Sequence, residues 1–182
     1  HRDLRRQRQM CIRDRVMAFL EELLQTRWTD LKVHLTSVSE QWAGVAVAGP
    51  LSREVLTACV EQPTRVSDEA LPFMGVVETT MREGIPARIA RISFSGERAF
   101  EVYVPSDFGP AVMQSLWDAA RPMDGCLYGL EALGALRIEK GHVTGAELDG
   151  RVTIEDAGLG RMASDKKSYV GSALRKRPEM VK

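Results

Sequence analysis

Two side chains set two residues apart, Glu101 and Tyr103, are the pair in this chain most suited to chemistry. They lie in Ala99-Phe-Glu-Val-Tyr-Val-Pro105, where Phe100, Val102 and Val104 alternate with them. A period of two marks a strand with one apolar face. Phe100, Val102 and Val104 are therefore expected to be buried, with Glu101 and Tyr103 side by side on the opposite face. A carboxylate beside an aromatic ring on a strand is either part of a solvated face or the floor of a pocket. An ionised carboxylate only accepts hydrogen bonds, so a pocket built on it would hold a ligand by the ligand's donors.

The residues just before this strand, Arg91-Ile-Ser-Phe-Ser-Gly-Glu-Arg98, read as the other arm of a hairpin. Ile92 and Phe94 alternate with polar residues, and Gly96 supplies the permissive backbone for the reversal. Upstream, Val16, Phe19, Leu20, Leu23 and Leu24 have helical spacing and indicate an amphipathic helix over residues 16–27. Leu31 to Val38 alternates and is expected to be a strand, and Trp42 to Ala48 a short buried one ended by Gly49-Pro50. Ser52 is expected to cap a helix over 53–60 with Val55 and Leu56 inward. Gln62 to Ala70 reads as a loop. Gly75–Met81 and Ile85–Phe94 read as strands joined by a Glu83-Gly84 turn. A helix capped by Ser106 or Asp107 should run to Ala120, burying Val112, Met113, Leu116 and Trp117. Another should span Leu130 to Lys140 and stop at Gly141. The rest is turn-rich, with a short helix near 172–176. Strands in hairpins with interspersed helices indicate an α+β domain with antiparallel or mixed sheets.

Ser93-Phe-Ser-Gly-Glu97 followed by Phe100-Glu101 resembles the central motif of the aminomethyltransferase (glycine cleavage T-protein) family of folate-binding domains. Phe94 stands where T-proteins have Tyr, and Ser95 where they have Thr. Tyr128-Gly-Leu-Glu-Ala-Leu-Gly-Ala-Leu-Arg-Ile-Glu-Lys-Gly141 is similar to the family's helix, and Gly145-Ala-Glu-Leu-Asp149, Val152-Thr-Ile-Glu-Asp-Ala-Gly-Leu-Gly160 and Tyr169-Val-Gly171 follow in the family's order. Gln41 to Leu56 resembles its strand, Gly-Pro turn and helix. Leu133 and Gly134 occupy the places of an Arg and an Asp that T-proteins carry, so the version resembled is that of sarcosine oxidase alpha subunits.

The resemblance implies the second half of the folate-binding domain, leading into a truncated C-terminal β-barrel. Residues 16–148 would be the partial folate domain and 149–182 the linker and the start of the barrel. It implies tetrahydrofolate as cofactor, with Glu101 holding the pterin ring. A pterin edge offers a ring N–H and an exocyclic amine side by side, and a carboxylate accepts from both, strengthened by its charge. Phe94 is expected to stack on the pterin or to be core. Glu97 is expected in the turn, solvated, paired with Arg98 or touching folate, and Tyr103 on the Glu101 face. Arg137 either caps a neighbouring segment or meets the folate tail. The implied function is capture of the sarcosine methyl carbon as 5,10-methylenetetrahydrofolate. The alternatives are T-protein aminomethyl transfer, or a non-catalytic scaffold that docks partner subunits. Flavin and NAD would belong to missing domains or other subunits, and the family's catalytic aspartate has no match here. The partners implied are the other sarcosine oxidase subunits.

The chain has 182 residues, 44% hydrophobic and 27% charged, with zero net charge. That composition fits a globular protein and gives no reason to expect nucleic acid or an anionic membrane as partner. No apolar run nears the roughly 20 residues that span a bilayer. Cys11, Cys59 and Cys126 are far apart, His34 and His142 are isolated, and no metal-ligand spacing is visible, so a reducing, cytoplasmic setting is expected. Residues 1–15 carry six arginines and little apolar pattern, and are expected to be non-native or disordered. The chain as a whole is expected to be a fragment of a longer subunit.

Overall fold

The computed structural model describes residues 2–145, 147–148, 152–169 and 171–175 and, apart from Leu174, the side chains from residue 14 onward. The last residue of the Gly-x-Glu-Leu-Asp segment, Asp149, lies outside the described residues, as do Val170, Lys176, Arg177 and much of the expected barrel start. Residues 1–140 and 141–182 form two compact units.

The first unit is built on one antiparallel sheet. Its strands are β1 (Trp42–Ala48), β2 (Val76–Met81), β3 (Ile85–Ala90) and β4 (Ala99–Pro105), in the order β1-β4-β3-β2. β2 and β3 are a hairpin in which Met81 pairs with Ile85. Between them Glu83 and Gly84 take φ of 68° and 76°. Two left-handed residues give a turn whose twist matches that of the flanking strands, which is the turn the Glu-Gly dipeptide indicates. β1 pairs with β4 along all its length, Trp42 opposite Pro105 and Ala48 opposite Ala99.

Helices α1 (Arg2–Thr26), α2 (Ser52–Cys59), α3 (Gly109–Ala120) and α4 (Leu130–Lys140) complete this unit. The core lies where α2 and α3 meet one face of the sheet: Leu56 and Val112 pack with Ile89, Phe100, Val102 and Val104. At about 25 cal/mol per Å² of apolar area, this burial is the main force holding the helices to the sheet. α1 runs through the basic segment. Leu20, Leu23 and Leu24 are half-buried, whereas Val16 and Phe19 of the expected apolar face are exposed.

Several expectations are corrected. Leu31 to Val38 is no strand: Leu31, Val33 and Val38 are about half exposed, and the segment pairs with none of the four strands. Alternation alone does not make a strand without a partner to satisfy its backbone. β3 ends at Ala90, so Ile92 and Phe94 belong to a loop and not to a hairpin arm. Ser52 does not cap α2; it is the helix's first residue, and its hydroxyl donates to the Arg98 carbonyl at 3.0 Å. Gly49 N–H donates to the same carbonyl at 2.8 Å, pinning the Gly-Pro turn to the start of β4. Neither Ser106 nor Asp107 caps α3. A 3-10 turn at Ser106–Phe108 precedes it, and Pro110 fills a first-turn place where the missing N–H costs nothing. On α3, Val112 and Leu116 are buried, Trp117 is half-buried and Met113 is exposed. The expected loop at 62–70 contains a 3-10 turn, Pro63–Val66, that buries Val66.

The second unit holds turns, a 3-10 turn at Gly160–Met162 and α5 (Ser172–Arg175). Thr153 and Asp156 exchange hydrogen bonds across one turn, and Arg175 pairs with Glu155 and Asp165. Among its described residues there is no strand, so a barrel is not shown. The α+β class with an antiparallel sheet and packed helices is what the fold displays.

Candidate functional site

The face of the sheet away from α2 and α3 carries the candidate residues. Along β4, Phe100, Val102 and Val104 are fully buried, while Glu101 and Tyr103 between them are half-buried. Register sets their neighbours. Glu101 lies between Ala46 of β1 and Ala90 of β3, and Tyr103 between Gly44 and Arg88. The carboxylate is thus flanked by two methyl groups, that of Ala46 exposed and that of Ala90 buried. The Tyr103 ring rests against Gly44, where an added Cβ would come within 3.1 Å of a ring carbon.

The Tyr103 hydroxyl donates a hydrogen bond to Glu101 Oε2. Residues two apart on a strand share a face, so this contact follows from the strand itself. The hydrogen bond to Glu101, then burial and the carboxylate's charge, push the Tyr103 phenol up to about 12. Tyr128, brought in by the segment between α3 and α4, joins the same field. Its phenol is raised by burial first and by the Glu101 charge second, while the side chain stays 37% exposed. Nothing in the local pattern around Tyr128 signals this, because the approach is made across 27 positions of sequence; the one cue is its place at the head of the Gly-Leu motif.

Further along the same face, Arg88 pairs with Glu78 at 2.8 Å, and its guanidinium lies 5.3 Å from the Trp42 ring centroid. Trp42, Gly44, Tyr103 and Arg88 thus continue a polar and aromatic surface away from Glu101.

The motif loop, residues 91–98, enters β4. Arg91 extends the β2–β3 pairing by one step, its N–H donating to Gly75 O at 2.9 Å. The chain then turns: Gly96 N–H donates to Ser93 Oγ at 2.9 Å, with Gly96 at φ 93°. Lys140 of α4 packs on this turn so closely that a Cβ on Gly96 would meet its side chain at 2.9 Å. Ser95 is buried, its hydroxyl without a partner among the described residues. Phe94 is 40% exposed and Glu97 is exposed, both on the loop and not on the strand. The fold therefore joins Glu101 to Tyr103 directly and leaves Phe94 and Glu97 on the loop that leads into β4.

Two arginines, one of them the first residue of that loop, converge on the segment from Val66 to Leu71. Arg53 donates to the Val66 carbonyl, pairs with Asp68 at 2.8 Å and lies 4.9 Å from the Phe100 ring centroid. Arg91 reaches the same Asp68 at 3.0 Å and the Leu71 carbonyl at 3.3 Å. Burial lowers the Arg53 pKa, against the opposing pull of Asp68.

A cleft of about 350 Å³ runs along the free edge of β1, walled by Ala46, Pro50, Met113, Trp117, Met123 and Tyr128. Glu101 is not among its lining residues, but its register partner Ala46 and Tyr128 are. The carboxylate thus sits next to an apolar recess large enough for part of a small ligand.

Comparison with known proteins agrees with this architecture. The chain matches the family described as the GCVT N-terminal domain over residues 8–167. It is 43% identical over 168 residues to "Sarcosine oxidase subunit alpha" of Corynebacterium sp. (strain U-96), covering 92% of this chain and 17% of the relative. It is 40% identical over 164 residues to the protein of that name from Rhizobium meliloti (strain 1021), covering 89% and 16%. "Aminomethyltransferase" of Halothermothrix orenii is 30% identical over 142 residues, covering 77% and 38%. The chain spans about a sixth of the length of the sarcosine oxidase alpha subunits it matches. No helix among the described residues is long and apolar enough to cross a membrane. With its α+β sheet and a match that covers most of its length, the chain belongs to the GCVT N-terminal domain family.

Proposed function

We propose that this segment binds tetrahydrofolate and belongs to the one-carbon capture site of a sarcosine-oxidising enzyme. The single observation that carries the reading is Glu101: a carboxylate on the open face of β4, steadied by Tyr103 and flanked by Ala46 and Ala90. A planar ring can lie on that floor and donate its ring N–H and exocyclic amine to the two carboxylate oxygens. Phe94 and Glu97, on the loop before β4, are proposed as further contacts to the folate. The likeness to sarcosine oxidase alpha subunits supports the substrate.

A flavin in another domain or subunit would supply the oxidation of sarcosine, delivering the methyl carbon to this site at the oxidation level of an imine. Tetrahydrofolate, held by Glu101, would supply the two nitrogens that take up that carbon, with glycine as the other product. The role of Glu101 is to hold the pterin so that N5 and N10 face the carbon, which is catalysis by positioning. The chain is proposed to act with the other subunits of such an enzyme and not alone.

The test is the fate of the methyl carbon in the full-length assembly turning over sarcosine. Tetrahydrofolate is expected to divert it from free formaldehyde to 5,10-methylenetetrahydrofolate. Glu101→Gln is expected to restore formaldehyde release while flavin reduction keeps its rate. Formaldehyde release that ignores tetrahydrofolate in the unaltered enzyme would sink the proposal.

A further inference from the structure

We infer that Tyr103 determines specificity alongside Glu101: with its O–H hydrogen-bonded to the carboxylate, the phenol oxygen accepts a second N–H from the amine that the carboxylate holds. This deepens the folate reading and rests on it.

The Tyr103 hydroxyl has one proton, and that proton is committed to Glu101 Oε2. What remains on the phenol oxygen is acceptor capacity. Glu101 and Tyr103 together therefore present three oxygens, all of them acceptors. The pyrimidine edge of a pterin carries three N–H groups, two on the 2-amino nitrogen and one on ring N3. Donors and acceptors match three to three. A ring with a 2-oxo group in place of the amine would set a carbonyl against acceptors that have no proton to offer. Leaving such groups unpaired is the strongest source of discrimination between polar ligands of one shape.

The geometry supports a built arrangement. Gly44 gives the Tyr103 ring a seat that any side chain would press on. On the β1 side Glu101 has only the exposed methyl group of Ala46 as its neighbour, so no larger side chain competes for its oxygens there. Packing does not call for a hydroxyl here, because the core side of β4 is filled by Phe100, Val102 and Val104. The phenol also stays protonated through the neutral range, so its donation to Glu101 persists there.

The experiment is anaerobic calorimetry on the full-length polypeptide with two probes, tetrahydropterin and tetrahydrolumazine, which differ in the 2-amino against the 2-oxo group. The unaltered protein is expected to prefer tetrahydropterin. Tyr103→Phe is expected to weaken tetrahydropterin about tenfold and tetrahydrolumazine by less than about twofold, since one hydrogen bond in a charged network is lost for the first probe only. Gly44→Ala, which presses the ring off its seat, is expected to act in the same direction. A purely structural tyrosine would weaken both probes alike. Equal losses, or no loss, with Glu101→Gln still weakening tetrahydropterin would overturn the role of Tyr103 and leave the pterin anchor standing. No effect of either substitution, or no binding of tetrahydropterin at all, would overturn both.

Discussion

On one face of β4, Phe100, Val102 and Val104 are sealed against α2 and α3. On the other, Glu101 and Tyr103 hydrogen-bond to each other between Ala46, Ala90 and Gly44. The same seven residues build both faces, and the strand's period of two is what separates them. The first face tolerates no change of volume, because every methylene removed leaves a gap that its neighbours fill only in part. The second is held by register and by one hydrogen bond, and its small neighbours leave space unfilled. Stability is thus concentrated on one face, and the proposed recognition lies on the other. Substitutions on the two faces should separate the two properties.

Phe100→Ala should produce the largest effect. Removing a fully buried phenyl ring is expected to cost about 3–5 kcal/mol in urea unfolding, with the Arg53 stack lost as well. A loss below about 1 kcal/mol would break the contrast between the faces. Arg53→Met comes next. It keeps the apolar stem but leaves the Val66 carbonyl without its donor, at a cost of about 2 kcal/mol by the same measurement. Asp68→Asn should cost less than about 1 kcal/mol, since that carboxylate is largely exposed.

On the polar face the expected signature is a titration. Tyr103 holds its proton more tightly folded than unfolded, so the stabilisation from its bond to Glu101 is complete below pH 10. It is lost as the pH rises through about 12. Absorbance of the phenolate should show one late tyrosine near pH 12, and Glu101→Gln should bring that tyrosine back toward the ordinary range. A titration unmoved by Glu101→Gln would mean that the hydrogen bond does not form. The smallest effect lies away from both faces. Glu83→Gly should stabilise the β2–β3 hairpin by about 0.5 kcal/mol, because glycine takes the left-handed φ of 68° without strain but loses more freedom on folding.

Where local chemistry decides the structure, the sequence is a sufficient guide. The Glu83-Gly84 turn, the two faces of β4 and the span of α4 up to Gly141 all follow from short-range patterns. The failures share one cause. Leu31–Val38 and Arg91–Phe94 alternate as strands do, yet the first pairs with no strand and the second leaves the sheet for the Ser93–Gly96 turn. Ser52 resembles a cap but spends its hydroxyl on Arg98, 46 positions away. At the site, the pairing of Glu101 with Tyr103 is legible because both lie on one strand. Tyr128 is not, because a connection between helices delivers it. The family motif adds what periodicity lacks, a reason to read Glu101 as more than a solvated side chain.

The most direct test of the account is a calorimetric titration of tetrahydrofolate into the full-length polypeptide, with and without Glu101→Gln. Binding to the unaltered protein, weakened by more than about 1 kcal/mol in the variant while its unfolding midpoint stays in place, is the expected result. Equal affinity in the two proteins would contradict it and return Glu101 to the solvated surface of an ordinary strand.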